Sequence, residues 1–169
     1  MKKILILLAI VILAATIYKE EKIVIPKESI RFRIIANSDS DIDQDIKKEI
    51  VNNLSMELIK SKDLQNIEET RNFIKREIPV FNKIVDKTLK DKNYQEDFHI
   101  NYGKNYFPEK TYKSVKYEEG EYESLVITLG NGKGQNFWCV LFPPLCLVDE
   151  TQENVEYKSA IKEIINKYF

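Results

Sequence analysis

The alternation of apolar and polar residues predicts the first strand of the folded region. In residues 29–36, Ile30, Phe32 and Ile34 alternate with arginines, the period-two pattern of a strand with one face buried. A polar run, residues 37–41, follows at once and is rich in the residue types that cap helices or close turns. The pattern therefore predicts a strand that leads directly into the start of a helix.

Two apolar stripes at helical spacing follow the polar run. The first contains Ile42, Ile46, Ile50, Leu54 and Leu58, and a four-residue step rotates only about 40° around a helix, so these residues form one slanting stripe. The spacing predicts an amphipathic helix that buries all five side chains.

The second stripe predicts a helix from about Asn66 onward. Pro79 lies inside it and removes one backbone donor, so we expect a kink or a break there. The predicted inner face consists of Ile67, Ile74, Ile78, Phe81, Val85 and Leu89.

From Phe98 onward the composition of the sequence changes, and tyrosine, valine and turn residues typical of strands and their connections become frequent. Four strands are predicted: Phe98 to Tyr102, Thr111 to Tyr117, Tyr122 to Leu129, and Phe137 to Phe142. The last is nearly all apolar, which predicts burial on both faces, with Trp138 and Phe142 in the core. A final helix with Val155, Ala160, Ile161, Ile164 and Ile165 closes the chain.

The order of these elements indicates the fold class. Helices precede and follow a block of strands, and no repeated strand–helix–strand alternation is present. We therefore expect an α+β fold, with an antiparallel sheet of about four to five strands and helices packed on one face.

The amino-terminal residues have the pattern of an export signal. Lys2 and Lys3 precede an unbroken apolar run from Ile4 to Ala15, which is short for a spanning helix. Residues 1–17 are interpreted as a signal peptide or an uncleaved signal anchor, residues 18–29 as a linker, and residues 30–169 as a single α+β domain. A buried cytoplasmic helix is disfavoured because the run has no polar face. With the two lysines held inside, the rest of the chain lies outside, and the leader is its sole expected membrane contact.

The charge balance argues against nucleic acid as a partner. The chain has 26 basic and 27 acidic residues, interleaved throughout. Binding to nucleic acid requires clustered cations that neutralise phosphates, and the sequence contains no such cluster.

The segment Gly130-Asn131-Gly132-Lys133-Gly134 has two interpretations. A phosphate-binding loop would need backbone N–H groups at the start of a helix. Because a predicted strand follows, we favour a glycine-rich hairpin.

The cysteines and the histidine are the remaining candidates for chemistry. Cys139 and Cys146 either form a disulfide outside the cell membrane or are two separately buried thiols. Nothing in the sequence places His99 beside either cysteine, and their number and spacing do not form a zinc site. We therefore assign no catalytic, metal-binding or cofactor-binding residues.

The polar run after the first strand is the candidate partner-binding segment. The candidate segment consists of Asn37, Ser38, Asp39 and Ser40, and any of the last three is suited to cap the following helix. Capping alone would explain residues of these types. The run is nevertheless longer than one cap requires, and loops supported by a strand and a helix commonly bind partners.

Two segments resemble the stage II sporulation protein R family. One is residues 30–40, Ile-Arg-Phe-Arg-Ile-Ile-Ala-Asn-Ser-Asp-Ser, which is similar to the opening of the mature proteins. The other is residues 130–146, which contains Trp-Cys-Val-Leu-Phe-Pro-Pro-Leu-Cys at positions 138–146. Phe137 is a departure, since the family usually has a second tryptophan there.

The resemblance implies a non-enzymatic role in endospore formation. Members of the family are made in the forespore and exported into the space between the two septal membranes. There they activate a membrane-embedded aspartic protease of the mother cell, which processes pro-sigma-E. The alternative is an exported enzyme or cell-wall-binding domain with a site near Cys139 and His99.

Overall fold

The computed structural model describes residues 23–61, 63–112, 115–147 and 154–169. The leader, residues 1–17, lies outside the described residues. Two short 3₁₀ turns are present at Ile59–Ser61 and Leu145–Leu147. The described strands and α-helices are β1 Ile23–Val24, β2 Ile30–Ile35, α1 Asp41–Leu58, α2 Ile67–Asp91, β3 Phe98–Phe107, β4 Lys110–Tyr112, β5 Val115–Tyr117, β6 Gly120–Leu129, β7 Asn136–Phe142 and α3 Asn154–Tyr168.

The main sheet has four strands in the order β3-β6-β2-β7. β3 and β6 pair antiparallel over ten residues, and β2 pairs antiparallel with β7. β2 and β6 are parallel, with Arg31 opposite Ser124 and Ile35 opposite Thr128. The predicted α+β class is confirmed, although one pairing of the main sheet is parallel.

A second, smaller sheet was not predicted. It has the order β1-β5-β4, in which β1 and β5 are parallel and β4 and β5 are antiparallel. The single strand predicted for Thr111 to Tyr117 is therefore two short strands. β1 and the buried Ile25, which is 1% exposed, lie within the region interpreted as a linker. The division into leader, linker and domain stays a prediction.

Helix α1 begins at the polar run as predicted. Ser40 is the N-cap, and its hydroxyl accepts a hydrogen bond from the Asp43 N–H at 3.2 Å. Ile46, Ile50 and Leu54 are buried, but Ile42 is 70% exposed. The prediction for Ile42 was wrong because the 40° drift per step accumulates, which places Ile42 roughly 100° from the centre of the buried face.

Helix α2 continues through Pro79 as one helix of 25 residues. The predicted break is absent. Pro79 and Lys75 are both exposed, so the Lys75 carbonyl that lacks an intrahelical donor can bond to water. Asn66 caps the helix, with its side-chain oxygen 2.9 Å from the Glu69 N–H.

Helices α1 and α2 cover one face of the main sheet. Ile30, Phe32 and Ile34 of β2 point to this face, and they are at most 1% exposed. Their partners in the core include Ile50, Leu54, Ile74, Phe81, Val85, Leu125 and Ile127. Helix α3 packs against the small sheet through Tyr157 and Ile161, and its last residue, Tyr168, packs on Phe142 of the main core with ring centroids 5.2 Å apart.

The other face of the main sheet carries a small aromatic cluster. Phe107, Tyr122 and Val126 are buried there, with Trp138 partly buried against them. The guanidinium carbon of Arg31 lies 3.3 Å from the centre of the Tyr122 ring, and Arg31 is fully buried. The arginines of β2 therefore cover aromatic rings rather than facing solvent.

The predicted burial of β7 on both faces was wrong for its first half. Val140, Leu141 and Phe142 are buried, whereas residues 136–139 are half-buried. The reason is topological, because β7 is an edge strand of the main sheet and one edge of its backbone pairs with no described strand.

Candidate functional site

The glycine-rich segment crosses the end of a strand and is not a hairpin. β6 and β7 both pair with β2, which lies between them, so residues 130–135, here called the β6–β7 loop, pass over the carboxyl end of β2. The N–H groups of Lys133 and Gly134 donate to the carbonyls of Asn37 and Ala36 at 3.0 and 2.9 Å. The loop leads into a strand, so it lacks the helix that a phosphate-binding loop needs.

Gly134 permits the closest approach in this crossing. A Cβ at Gly134 would lie 2.2 Å from the carbonyl oxygen of Ser38, far inside van der Waals contact. Gly132 has a φ of +62°, which favours glycine for a separate reason. The loop can therefore press against the polar run only with glycine at these positions.

Side chains of the polar run hold the β6–β7 loop from the other side. The Asn37 side-chain oxygen accepts from the Asn131 N–H at 2.8 Å. The Asp39 carboxylate accepts from the Gln135 N–H at 2.7 Å. Two backbone donors of the loop thus find acceptors about 95 residues away in sequence, which explains why the run is longer than one helix cap requires.

Asp43 is the centre of the hydrogen bonds beneath the loop. Its carboxylate accepts from Asn37, from the Ser38 hydroxyl and from the Tyr94 hydroxyl. Asp43 is 6% exposed. Burial acts to raise its pKa, but the hydrogen bonds from Ser38, Tyr94, Asn37 and Ser40 outweigh this and hold the pKa of Asp43 below its ordinary value. Burial and the Asp43 carboxylate raise the pKa of Tyr94.

Sequence reasoning missed Asp43 and Tyr94. One signal was present, because Asp43 follows the Ser40 cap by three positions, the spacing of a capping box. Tyr94 had no local signal. Each of the side chains predicted to bind a partner, Asn37, Ser38, Asp39 and Ser40, already has an intramolecular partner. These contacts do not test partner binding, which stays a prediction.

Cys139 and His99, the pair invoked for an alternative enzyme, lie on opposite edges of the main sheet. His99 is exposed on β3 and Cys139 is on β7, with two strands between them, so three strand spacings alone separate them by roughly 14 Å. Cys139 is joined to Cys146 by a disulfide with Cα atoms 5.4 Å apart. Its sulfur is therefore not a free thiolate nucleophile in this state.

A groove of about 140 Å³ runs along the open edge of β7. Consecutive β7 residues from Asn136 to Cys139 line it, so the strand's own edge forms its floor. Residues from β4, β5 and α3 form the walls. We call this feature the β7 groove and define it by Lys110, Tyr112, Tyr117, Asn136, Trp138 and Tyr157.

The β7 groove is aromatic and carries positive charge. Its lining includes one lysine, Lys110, and no acid. The Lys110 ammonium lies 5.3 Å from the Trp138 ring centre, and the Arg33 guanidinium carbon lies 5.6 Å from it. Burial lowers the pKa of Lys47, with smaller effects in the same direction from Lys48 and Lys110 and an opposing effect from Asp39.

Two buried polar atoms near the groove have no partner among the described residues. They are the Asn136 side-chain oxygen and the Arg33 Nε. A buried polar group without a hydrogen bond costs about 1–3 kcal/mol. A ligand that supplied a donor to the Asn136 side chain, after that side chain turned toward the groove, would therefore remove a cost already present in the fold.

Comparisons with known proteins bear on what the chain is. The profile of the stage II sporulation protein R family matches residues 26–152. The chain is 40% identical over 154 residues to stage II sporulation protein R of Bacillus subtilis (strain 168), covering 88% of this chain and 69% of that protein. No solved structure matches the chain. The family match spans β2, the polar run, the β6–β7 loop and the residues of the β7 groove other than Tyr157, and the chain belongs to the stage II sporulation protein R family.

Proposed function

We propose that the chain is an exported sporulation signal that activates a membrane-embedded aspartic protease of the mother cell. In this proposal residues 1–17 direct it from the forespore into the space between the two septal membranes. Binding outside the membrane shifts the protease toward its active state, and the protease then processes pro-sigma-E. Membership of the stage II sporulation protein R family is the observation that carries the proposal, because it implies a role in sporulation.

The disulfide supports the proposed location. Disulfides persist in oxidising compartments and are rare in the cytosol of mesophiles. The bond between Cys139 and Cys146 closes a short loop at the end of β7, beside the β7 groove. In the described part of the chain, no helix is long and apolar enough to span a bilayer.

Action through binding is the reading that the described side chains favour. The two residues considered for thiol catalysis are on opposite edges of the main sheet, and the cysteine is oxidised. The described part of the chain contains no group of three His, Cys, Asp or Glu residues that could hold a metal ion. No observation favours the alternative of an exported enzyme or a cell-wall-binding domain.

Co-expression in a non-sporulating bacterial host tests the proposal. The host would carry the candidate protease and its pro-sigma substrate, with or without this chain, and processing would be followed by immunoblot. We expect mature sigma factor when this chain is present and little in its absence. Processing at the same rate without the chain, or none with it, would overturn the proposal.

A further inference from the structure

We propose that the β7 groove binds an extended, carboxylate-bearing segment of the partner protein, which adds as a strand to the open edge of β7. The proposal rests on the proposed function, which supplies the partner. The groove lies on the described surface, and its floor is a strand edge rather than a helix or a loop.

The backbone of β7 supplies the first argument. An edge strand has N–H and C=O groups on its open side that no neighbouring strand satisfies, and an extended peptide can pair with them. The half-buried residues 136–139 line the groove, which is the length of a short strand pairing. Phe142 and its neighbours in β7 are buried, so the available edge ends there.

Unsatisfied polar groups supply the second argument. Asn136 lines the groove, and its buried side-chain oxygen has no donor among the described residues. A peptide has an N–H at nearly every residue and can provide the missing donor once the Asn136 side chain turns toward the groove. A wholly apolar ligand would leave this acceptor unpaired and would not gain that hydrogen bond.

The third argument is the positive charge of the groove, which favours a bound segment that carries a carboxylate. Lys110 is exposed, lines the groove and makes no ion pair with any described residue. The neighbouring Glu109 is engaged by Lys116 at 2.9 Å, so it does not neutralise Lys110. Arg33 adds a second cation behind Trp138. An Asp or Glu side chain of the partner would complement this charge.

The aromatic walls provide the remaining contact area. Tyr112 and Tyr157 pack edge to face with centroids 6.0 Å apart, and Trp138 lines the same groove. Aromatic side chains of this kind are typical anchors of protein interfaces. The groove therefore combines an open strand edge, an asparagine whose side-chain oxygen is unpaired, positive charge and aromatic walls.

Charge reversal in the co-expression assay gives the first test. Lys110→Glu is compared with Lys104→Glu, which makes the same change at an exposed lysine of β3, on the opposite edge of the main sheet. At equal concentration of folded protein, we expect Lys110→Glu to reduce pro-sigma processing about tenfold or more, because attraction becomes repulsion. Lys104→Glu should stay within about twofold of wild type, since it lies outside the groove.

Photocrosslinking identifies the occupant. The photoreactive residue p-benzoylphenylalanine replaces Tyr112, which is 36% exposed in the groove, or Tyr106, which is 58% exposed on β3. In membranes that contain the candidate protease, we expect a protease adduct at position 112, mapped by mass spectrometry to an extended acidic segment, and none at position 106.

The outcomes separate this inference from the proposed function. If wild type activates processing while Lys110→Glu is as active as Lys104→Glu, the groove is not the docking site and the proposed function stands. An adduct at position 112 to this chain's own residues 148–153 or to a second copy of the chain would also overturn the inference. If wild type does not activate processing, the proposed function fails, and the inference fails with it.

Discussion

At the residue scale, Asp43 does more than its position in the first turn of α1 requires. A carboxylate there is favoured by the helix dipole at a solvent-exposed site. Here it is buried and binds side chains from the polar run and from the segment after α2. The carboxylate therefore joins three parts of the chain, and its loss should affect stability more than the loss of an exposed acid.

Replacing Asp43 with Asn tests this at neutral pH. We expect Asp43→Asn to lower the free energy of unfolding by about 2 kcal/mol, since hydrogen bonds to a charged acceptor are lost in a buried site. Asp45→Asn is the matched control, because Asp45 pairs only with Lys48 at an exposed position and should change stability by less than about 1 kcal/mol. Urea unfolding measures both, and equal effects would contradict the account.

The stability difference between wild type and Asp43→Asn should depend on pH, and the direction of the Asp43 pKa shift predicts how. Folding lowers the pKa of Asp43, so its contribution is complete above the unfolded value of about 3.9 and is lost as pH falls through the lower folded pKa. The stability difference between wild type and Asp43→Asn should therefore shrink when urea unfolding is repeated below about pH 4. A difference that grows with acidity would contradict the direction of this shift.

The polar run itself can be tested for recognition separately from stability. Replacing Asn37, Ser38 and Asp39 together by Ala removes contacts to the β6–β7 loop as well as to Asp43, so we expect a loss of roughly 3 kcal/mol rather than the 1–2 kcal/mol of a lost cap. Ser40→Ala, which removes the cap and one hydrogen bond to Asp43 but no contact to the β6–β7 loop, should cost about 1 kcal/mol. Full processing activity by the triple variant at equal folded concentration would show that partner recognition lies elsewhere.

At the element scale, local sequence signals predicted where the helices start, whereas the arrangement of the strands depends on long-range pairings. Ser40 and Asn66 cap α1 and α2 because capping depends on residues within one turn, which the sequence displays. By contrast, the β6–β7 loop resembles a hairpin in sequence. It became a crossing because β2, about 100 residues earlier, lies between the two strands.

Gly134 offers a direct test of that crossing. We expect Gly134→Ala to destabilise the protein by roughly 2–3 kcal/mol, because the added Cβ meets the Ser38 carbonyl at 2.2 Å and the loop must move. Gly103→Ala in β3 is the control, since a Cβ there meets nothing within 4 Å, and it should be neutral or slightly stabilising. Thermal unfolding that ranks the two variants in the opposite order would contradict the crossing geometry.

Because β7 is an edge strand, its aromatic residues contribute unequally to the free energy of unfolding. Phe142 is 5% exposed, so Phe142→Ala should cost about 3–5 kcal/mol. Trp138 is half-buried in the β7 groove, and Trp138→Ala should cost less, about 2 kcal/mol, rather than the 3–5 kcal/mol of a core residue. Denaturant unfolding measures the free energy of unfolding of both variants. A larger decrease for Trp138→Ala than for Phe142→Ala would place Trp138 in the core.

At the whole-molecule scale, helices cover one face of the main sheet, and the outer edges of both β3 and β7 pair with no described strand. The composition of the sequence and the order of its elements predicted the α+β class. They did not predict the parallel pairing of β2 with β6 or the small sheet, since pairings between residues about 90 apart leave no periodic signal. The β7 groove could not be predicted for the same reason, because its walls come from β4, β5 and α3.

The central claim is that this chain acts from outside the membrane it is exported across. The most direct test compares wild type with the double variant Leu8→Asp and Val11→Asp in the co-expression host, measuring pro-sigma processing together with the compartment in which the chain is found. Charge in the apolar run opposes insertion, so we expect the variant to stay inside, fold and give no processing. Processing equal to wild type by a chain retained inside the cell would contradict the claim.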